Sequence, residues 1–235
     1  MRIFDVATEV VKQGGRRRGA NMGILSVDHP DIVEFIGAKE KEGALTNFNL
    51  SVSVTDDFMK RVEASGEHDL VNPRNGRPAK TVRARDIFDM MVSMAWRTGD
   101  PGIIFIDEVN RHNPTPKLGR MESTNPCGEV PLLPYESCTL GSVNLSKVFR
   151  KDAVDWDLLS DLVRTGVHLL DNVLDVNRYP IPAASRMASG NRKIGLGVMG
   201  FADLLLMLGI PYDTQEALDQ ADRVMGFIAK EGRAA

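Results

Sequence analysis

Four residues of one short stretch carry the chemistry open to this sequence: Asn125, Cys127, Glu129 and Cys138, all within STNPCGEVPLLPYESC at 123–138. Asn125, Cys127 and Glu129 alternate, so an extended segment would turn all three side chains to one face. That face would hold a thiol between an amide and a carboxylate, in a loop region of the kind where catalytic groups concentrate. A cysteine hydrolase needs a histidine base beside the thiol, and His112, the nearby candidate, has nothing to mark it. A carboxylate next to a thiol disfavours a second anion, so the trio suits thiolate chemistry poorly. It suits a neutral S–H that carries a hydrogen atom, with the carboxylate taking a proton from the substrate and the amide orienting a hydroxyl. Cys138 could then supply reducing equivalents. Composition alone also allows two buried, inert thiols.

The elements that must position these residues read as α/β. Ile3, Val6, Val10 and Val11 mark a helix over 3–13, and Met22–Val27 a strand. Asp28-His29-Pro30 opens a helix carrying Ile32, Phe35 and Ile36. Leu50, Val52 and Val54 alternate with Ser51, Ser53 and Thr55 as in a half-buried strand, followed by a helix over 56–63. Residues 66–84 are polar and read as a surface excursion. Ile87, Met90, Met91, Met94 and Ala95 form a helical stripe of core packing. The apolar run 101–106 predicts a strand buried on both faces. The proline- and glycine-rich stretch 110–142 holds both cysteines. Helices are predicted over 155–175, 197–208 and 215–231. Strands alternating with helices indicate an α/β architecture, and with no repeat or linker the chain reads as a single unit, 1–235.

Composition excludes several classes. The 235 residues carry 29 basic and 32 acidic side chains, a net charge of -3, which argues against a dedicated nucleic-acid binder. No apolar run approaches the roughly 18 residues of a spanning helix, so no membrane partner is expected. The N-terminus has no signal-peptide pattern, and a cytoplasmic location is the default. Four histidines without clustered spacing give no metal site. Gly195-Leu196-Gly197-Val198-Met199-Gly200 matches the dinucleotide fingerprint, but the residues before it, Ser189–Lys193, do not read as a buried strand. The glycines are read instead as allowing a helix to pack closely on its neighbour.

The sequence resembles the catalytic subunit of ribonucleotide reductase, most closely its adenosylcobalamin-dependent (class II) branch. Asn125–Glu129 (NPCGE) resembles the family's finger-loop motif, and PLLPYESC followed by Leu140–Leu145 (LGSVNL) its continuation. Three further stretches agree in order: Gly14–Ala20 with Asp28–Asp31, Tyr179–Pro182, and Arg192–Ala202. The resemblance implies part of a ten-stranded α/β barrel with a central finger loop. It implies radical-based reduction of ribonucleotides to 2′-deoxyribonucleotides, with adenosylcobalamin as radical source. Cys127 would be the thiyl residue that takes the ribose 3′ hydrogen, Glu129 the base on the 3′ hydroxyl, and Asn125 the holder of the substrate hydroxyls. Cys138 would be one of two thiols that reduce C2′.

Lys12, Gln13, Gly14, Gly15, Arg17 and Gly19 resemble the loop that couples a bound deoxynucleotide effector to substrate choice. The implied partners are the ribonucleotide, deoxynucleotide effectors, a thioredoxin- or glutaredoxin-like reductant and a second copy in a homodimer. The family's second reducing cysteine and its phosphate loop have no counterpart in these residues. The expectation is therefore an internal piece of the barrel, cut at both ends, that does not turn over alone. The alternatives are a non-catalytic fragment that senses deoxynucleotides, and a class I type subunit that imports its radical from a di-metal partner.

Overall fold

The computed structural model describes residues 1–11 and 19–235. The effector-loop residues Lys12, Gln13, Gly14, Gly15 and Arg17 lie outside the described residues. Two compact units follow one another along the chain, Met1–Pro134 and Tyr135–Ala235.

The first unit runs α1 (Arg2–Val10), β1 (Asn21–Ser26), α2 (Ile32–Ile36), β2 (Phe48–Val54), α3 (Asp56–Glu63), β3 (Glu67–Val71), β4 (Pro78–Arg83), α4 (Ala84–Thr98), β5 (Gly102–Phe105), α5 (Ile106–Arg111), β6 (Ser123–Thr124) and β7 (Pro131–Leu132). Its main sheet is parallel in the order β1-β2-β5, with Gly23 opposite Leu50 and Ser51 opposite Gly102. The central strand β2 is buried at every position except Asn49. Val52 and Val54 pack with Phe58 of α3 and with Ile87, Met91 and Met94 of α4. Full burial of such side chains is worth about 1.5–3 kcal/mol each. Thr55 caps α3 by accepting the Phe58 N–H at 3.1 Å, which turns the chain out of β2 and back over the sheet.

Two expectations change here. Residues 66–84 are not a plain excursion but an antiparallel hairpin, β3 with β4, leading into α4. Its period-2 signal is His68 and Leu70, both buried, which a polar composition conceals. The apolar strand β5 is not buried on both faces. Among the described residues it pairs with β2 alone, and Phe105 is 49% exposed.

The second unit contains β8 (Thr139–Asn144), a short 3-10 turn (Leu145–Val148), β9 (Phe149–Arg150), β10 (Ala153–Val154), α6 (Trp156–Val176), α7 (Pro182–Asn191), β11 (Ile194–Met199), α8 (Phe201–Leu208) and α9 (Gln215–Ala234). β8 and β11 pair in parallel, with Gly195 opposite Leu140 and Gly197 opposite Ser142. Its core joins Leu145, Leu159, Val163, Leu204, Val224 and Ile228. Asp155 caps α6 through the Leu158 N–H at 3.0 Å.

The helix predicted from 197 begins instead at Phe201, because Ile194, Leu196 and Val198 alternate with glycines and form β11. The glycines do serve close packing, as a strand under a helix: a Cβ on Gly166 of α6 would lie 3.1 Å from Leu196. Among the described residues the largest sheet has three strands and no barrel closes. No described helix is long and apolar enough to cross a membrane.

Candidate functional site

The segment bearing Asn125, Cys127 and Glu129 is a tight hairpin. β6 and β7 pair antiparallel, with Ser123 opposite Leu132 and Thr124 opposite Pro131. Asn125 N–H donates to Val130 O at 3.3 Å, and Gly128 N–H closes a turn onto Asn125 O at 3.0 Å. Proline at the turn's second position and Gly128 at φ +87° supply the dihedral angles this reversal needs. The extended geometry that would align the three side chains by alternation is therefore absent. The turn instead leaves Cys127 and Glu129 exposed at its tip and Asn125 half-buried at its base.

Asn125 is partly committed. Its Oδ1 accepts the Val130 N–H at 3.0 Å, which leaves Nδ2 as the donor that a ligand oxygen could meet. The Thr124 hydroxyl is buried and donates to Asn125 O at 2.8 Å. Upstream, the amide of Asn110 grips Met121 in both directions. It accepts the Met121 N–H at 2.8 Å and donates to Met121 O at 3.1 Å, which ties the base of the hairpin to α5. His112, the candidate base for a hydrolase, is 79% exposed with Nε2 2.9 Å from Glu108 on its own helix.

The hairpin tip lines a cleft of about 440 Å³. Its other walls are Asn49 and Ser51 of β2, Asp100, and Gly102–Ile104 at the start of β5. Asn49 Nδ2 donates to Pro126 O at 2.5 Å. Asp100 accepts the Leu50 N–H at 2.9 Å and pairs with Lys39 at 2.7 Å, both side chains more than four-fifths buried. The cleft thus has a thiol at one rim and a fixed polar floor.

Cys138 belongs to the second unit, half-buried just ahead of β8. A Cβ on Gly195 would stand 3.7 Å from its Sγ and 2.6 Å from the Leu140 Cδ2 methyl, so the strand passes close to both side chains. Glu136, with its side chain wholly buried, accepts from Asn191 Nδ2 at 2.8 Å and pairs with Lys193 Nζ at 2.7 Å. Burial pushes the Cys138 thiol up, the Lys193 cation opposes this, and the Glu136 carboxylate adds to it. Such a thiol stays protonated at neutral pH.

Gly19, the described end of the predicted effector loop, faces Thr8 of α1 so closely that a Cβ there would lie 2.9 Å from the threonine methyl. The sequence reading did not find Asn49, Asp100, Lys39 or Asn110. Only Asn49 left a signal, a polar residue just ahead of the Leu50–Val54 alternation.

Comparison with known proteins places these features. The family model described as "Ribonucleotide reductase, barrel domain" matches residues 1–235. The chain is 54% identical over 237 residues to a protein of Thermoplasma acidophilum named vitamin B12-dependent ribonucleoside-diphosphate reductase, covering 100% of this chain and 31% of that one. A protein of the same name from Mycobacterium tuberculosis is 52% identical over 236 residues, covering 100% and 34%. The ribonucleoside-diphosphate reductase subunit alpha of Chlamydia pneumoniae is 32% identical over 264 residues, covering 97% and 25%. The chain spans about a third of the length of the first two relatives.

Proposed function

The chain belongs to the ribonucleotide reductase barrel-domain family, and on that premise we propose that it carries the radical thiol of an enzyme reducing ribonucleoside diphosphates to 2′-deoxyribonucleotides. The observation that carries this reading is the hairpin that holds Cys127 at an exposed tip on the wall of a polar cleft, with Asn125 and Glu129 two residues to either side of it in the same turn.

Cys127, as a sulfur-centred radical, takes the 3′ hydrogen of the ribose. Glu129 removes the proton of the 3′ hydroxyl, and Asn125 donates to a sugar oxygen from Nδ2, since its Oδ1 is taken by the Val130 N–H. The 2′ hydroxyl takes a proton from one of two reducing thiols and leaves as water. Cys138 and a second thiol give two electrons and end as a disulfide, and Cys127 returns the hydrogen to C3′. A thiyl needs S–H rather than S⁻ as its resting form, and a site from which bulk water is excluded.

The proposed cofactor is adenosylcobalamin, as the names of the two B12-dependent relatives suggest. When bound, it supplies a carbon-centred radical by homolysis of its cobalt–carbon bond. This chain fits such a source because Cys127 is open at the hairpin tip. Among the described residues no group of three or more His, Cys, Asp or Glu side chains is disposed to hold a metal ion.

The ten-stranded barrel with its central finger loop, a homodimer, deoxynucleotide effectors read around residues 12–19 and a thioredoxin- or glutaredoxin-like reductant belong to the same proposal. In its support, β1, β2 and β5 pair in parallel with helices between them, as the strands of an α/β barrel do. Adding a ribonucleoside diphosphate to a full-length, cobalamin-loaded reductase that carries these residues tests the reading. Cobalt–carbon homolysis, followed optically and by electron spin resonance, should appear with Cys127 and be lost in Cys127→Ala. Turnover that needs a di-metal partner protein instead of cobalamin would overturn the cofactor assignment.

A further inference from the structure

We propose that Asn49 is a positioning residue for the Cys127 thiol, an inference that rests on the reading of Cys127 given above. Asn49 is the one exposed position of an otherwise buried strand. Its Nδ2 reaches across 77 residues of sequence to donate to Pro126 O at 2.5 Å. That carbonyl belongs to the peptide bond joining Pro126 to Cys127. The bond therefore fixes the plane from which the Cys127 Cα and Sγ project. On the other side of Cys127, Gly128 N–H is closed onto Asn125 O at 3.0 Å. The thiol residue is bracketed, one side by its own turn and the other by β2.

Asn49 can serve as an anchor because its own backbone is clamped. On one edge β2 pairs with β1, Asn49 opposite Met22. On the other edge β5 begins pairing only at Ser51 opposite Gly102, so the backbone groups of Phe48 and Leu50 on that side meet no strand. The Lys39–Asp100 pair takes its place: Lys39 Nζ donates to Phe48 O at 2.7 Å, and Leu50 N–H donates to Asp100 Oδ1 at 2.9 Å. An ion pair imitates two rungs of a ladder and leaves the Asn49 side chain on the cleft, beside Pro126, Cys127 and Gly128. A hydrogen bond held at both ends sets a reacting sulfur; a loose tether would not.

The test uses a full-length, cobalamin-loaded reductase carrying these residues, with a ribonucleoside diphosphate. Asn49→Asp is isosteric and replaces the donor with an acceptor, Asn49→Ala removes the donor without repulsion, and Asn49→Gln keeps it. Misplacing a reacting atom by a fraction of an ångström predicts that kcat falls about tenfold or more in the Asp and Ala variants. KM for the ribonucleotide and the melting midpoint should stay unchanged, Asn49→Gln should recover most of the rate, and amide exchange at Gly128 should quicken when the donor is lost. If Asn49→Asp does not fold, Asn49→Ala decides. Unchanged kcat in the Ala variant would overturn the proposal, and so would kcat and melting midpoint falling together without recovery by Gln. Cys127→Ala is measured beside them: turnover persisting there would refute the thiol assignment itself, whereas its loss alongside a silent Asn49 refutes only the positioning role.

Discussion

Replacing Gly200 by alanine tests whether the glycines of 195–200 are there for backbone reasons rather than for a phosphate. Gly200 sits at φ +70°, where an L-residue pays about 1–2 kcal/mol. An added Cβ would lie 2.5 Å from Asn144 Oδ1 and 3.3 Å from Ser146 N. Asn144 Oδ1 accepts from Ser146 N at 3.1 Å and from Ser146 Oγ at 2.8 Å, capping the 3-10 turn. Pushing that amide aside weakens two hydrogen bonds at about 0.5–1.5 kcal/mol each. The backbone nitrogen behind it cannot retreat. The expected total is about 3 kcal/mol, summed from the left-handed cost and the lost bonds.

Gly209 is the internal control: φ is +73°, and nothing stands within 4 Å of its Cβ position. Gly209→Ala should pay the conformational cost alone, about 1–2 kcal/mol. Urea unfolding read by Trp156, whose ring stands 5.0 Å from Phe227 in the same unit, measures both. A Trp96→Phe background removes the other tryptophan, which is 87% exposed. If the two variants lose the same stability, the contact with Asn144 is not what requires glycine at 200. If Gly200→Ala is neutral, the whole argument fails.

Lys39→Met should destabilise the first unit by about 2–3 kcal/mol in a denaturant melt, below the roughly 3–5 kcal/mol for breaking a fully buried pair because both side chains retain some water contact. It should also quicken amide exchange at Leu50, and a loss under about 0.5 kcal/mol would show the clamp on β2 to be incidental. For Cys138, burial holds the folded thiol above its unfolded value. The thiol thus adds stability that is full below the unfolded pKa and fades as pH rises through the folded one. Its alkylation, followed by mass spectrometry, should reach half-maximal rate above about pH 8.5, the value for a free thiol. Lys193→Met should move that midpoint further up and Glu136→Gln should move it down; shifts of the opposite sign would refute the electrostatic account.

The sequence exposed the residue types of the site better than their geometry. NPCGE named the thiol, amide and carboxylate, but alternation put them on one extended face, whereas proline and glycine fold them around a turn. Turn residues override period-2 reasoning because Gly128 at positive φ reverses the chain within four residues. Long-range clamps were illegible for a different reason. Asn49 and Pro126 are far apart in the chain, and Lys39 and Asp100 meet only because β2 outruns β5. A ladder gap of that kind exists only once strands are in register. The helix–strand exchange at 197–199 was a period error. Three apolar residues separated by glycine read equally well as helix or strand until β8 is placed beside them. The long helices α6 and α9, by contrast, were read to within a few residues, since their apolar stripes and caps are local.

The central claim is that the Cys127 sulfur is the atom through which a ribonucleotide is reduced. The most direct measurement is deoxyribonucleotide formation by a full-length, cobalamin-loaded reductase carrying these residues, and by its Cys127→Ala variant, using a ribonucleoside diphosphate with deuterium at C3′. The account predicts product with a primary isotope effect from the unaltered protein, and none above background from the variant. Product from Cys127→Ala, or reduction insensitive to the 3′ label, would contradict it.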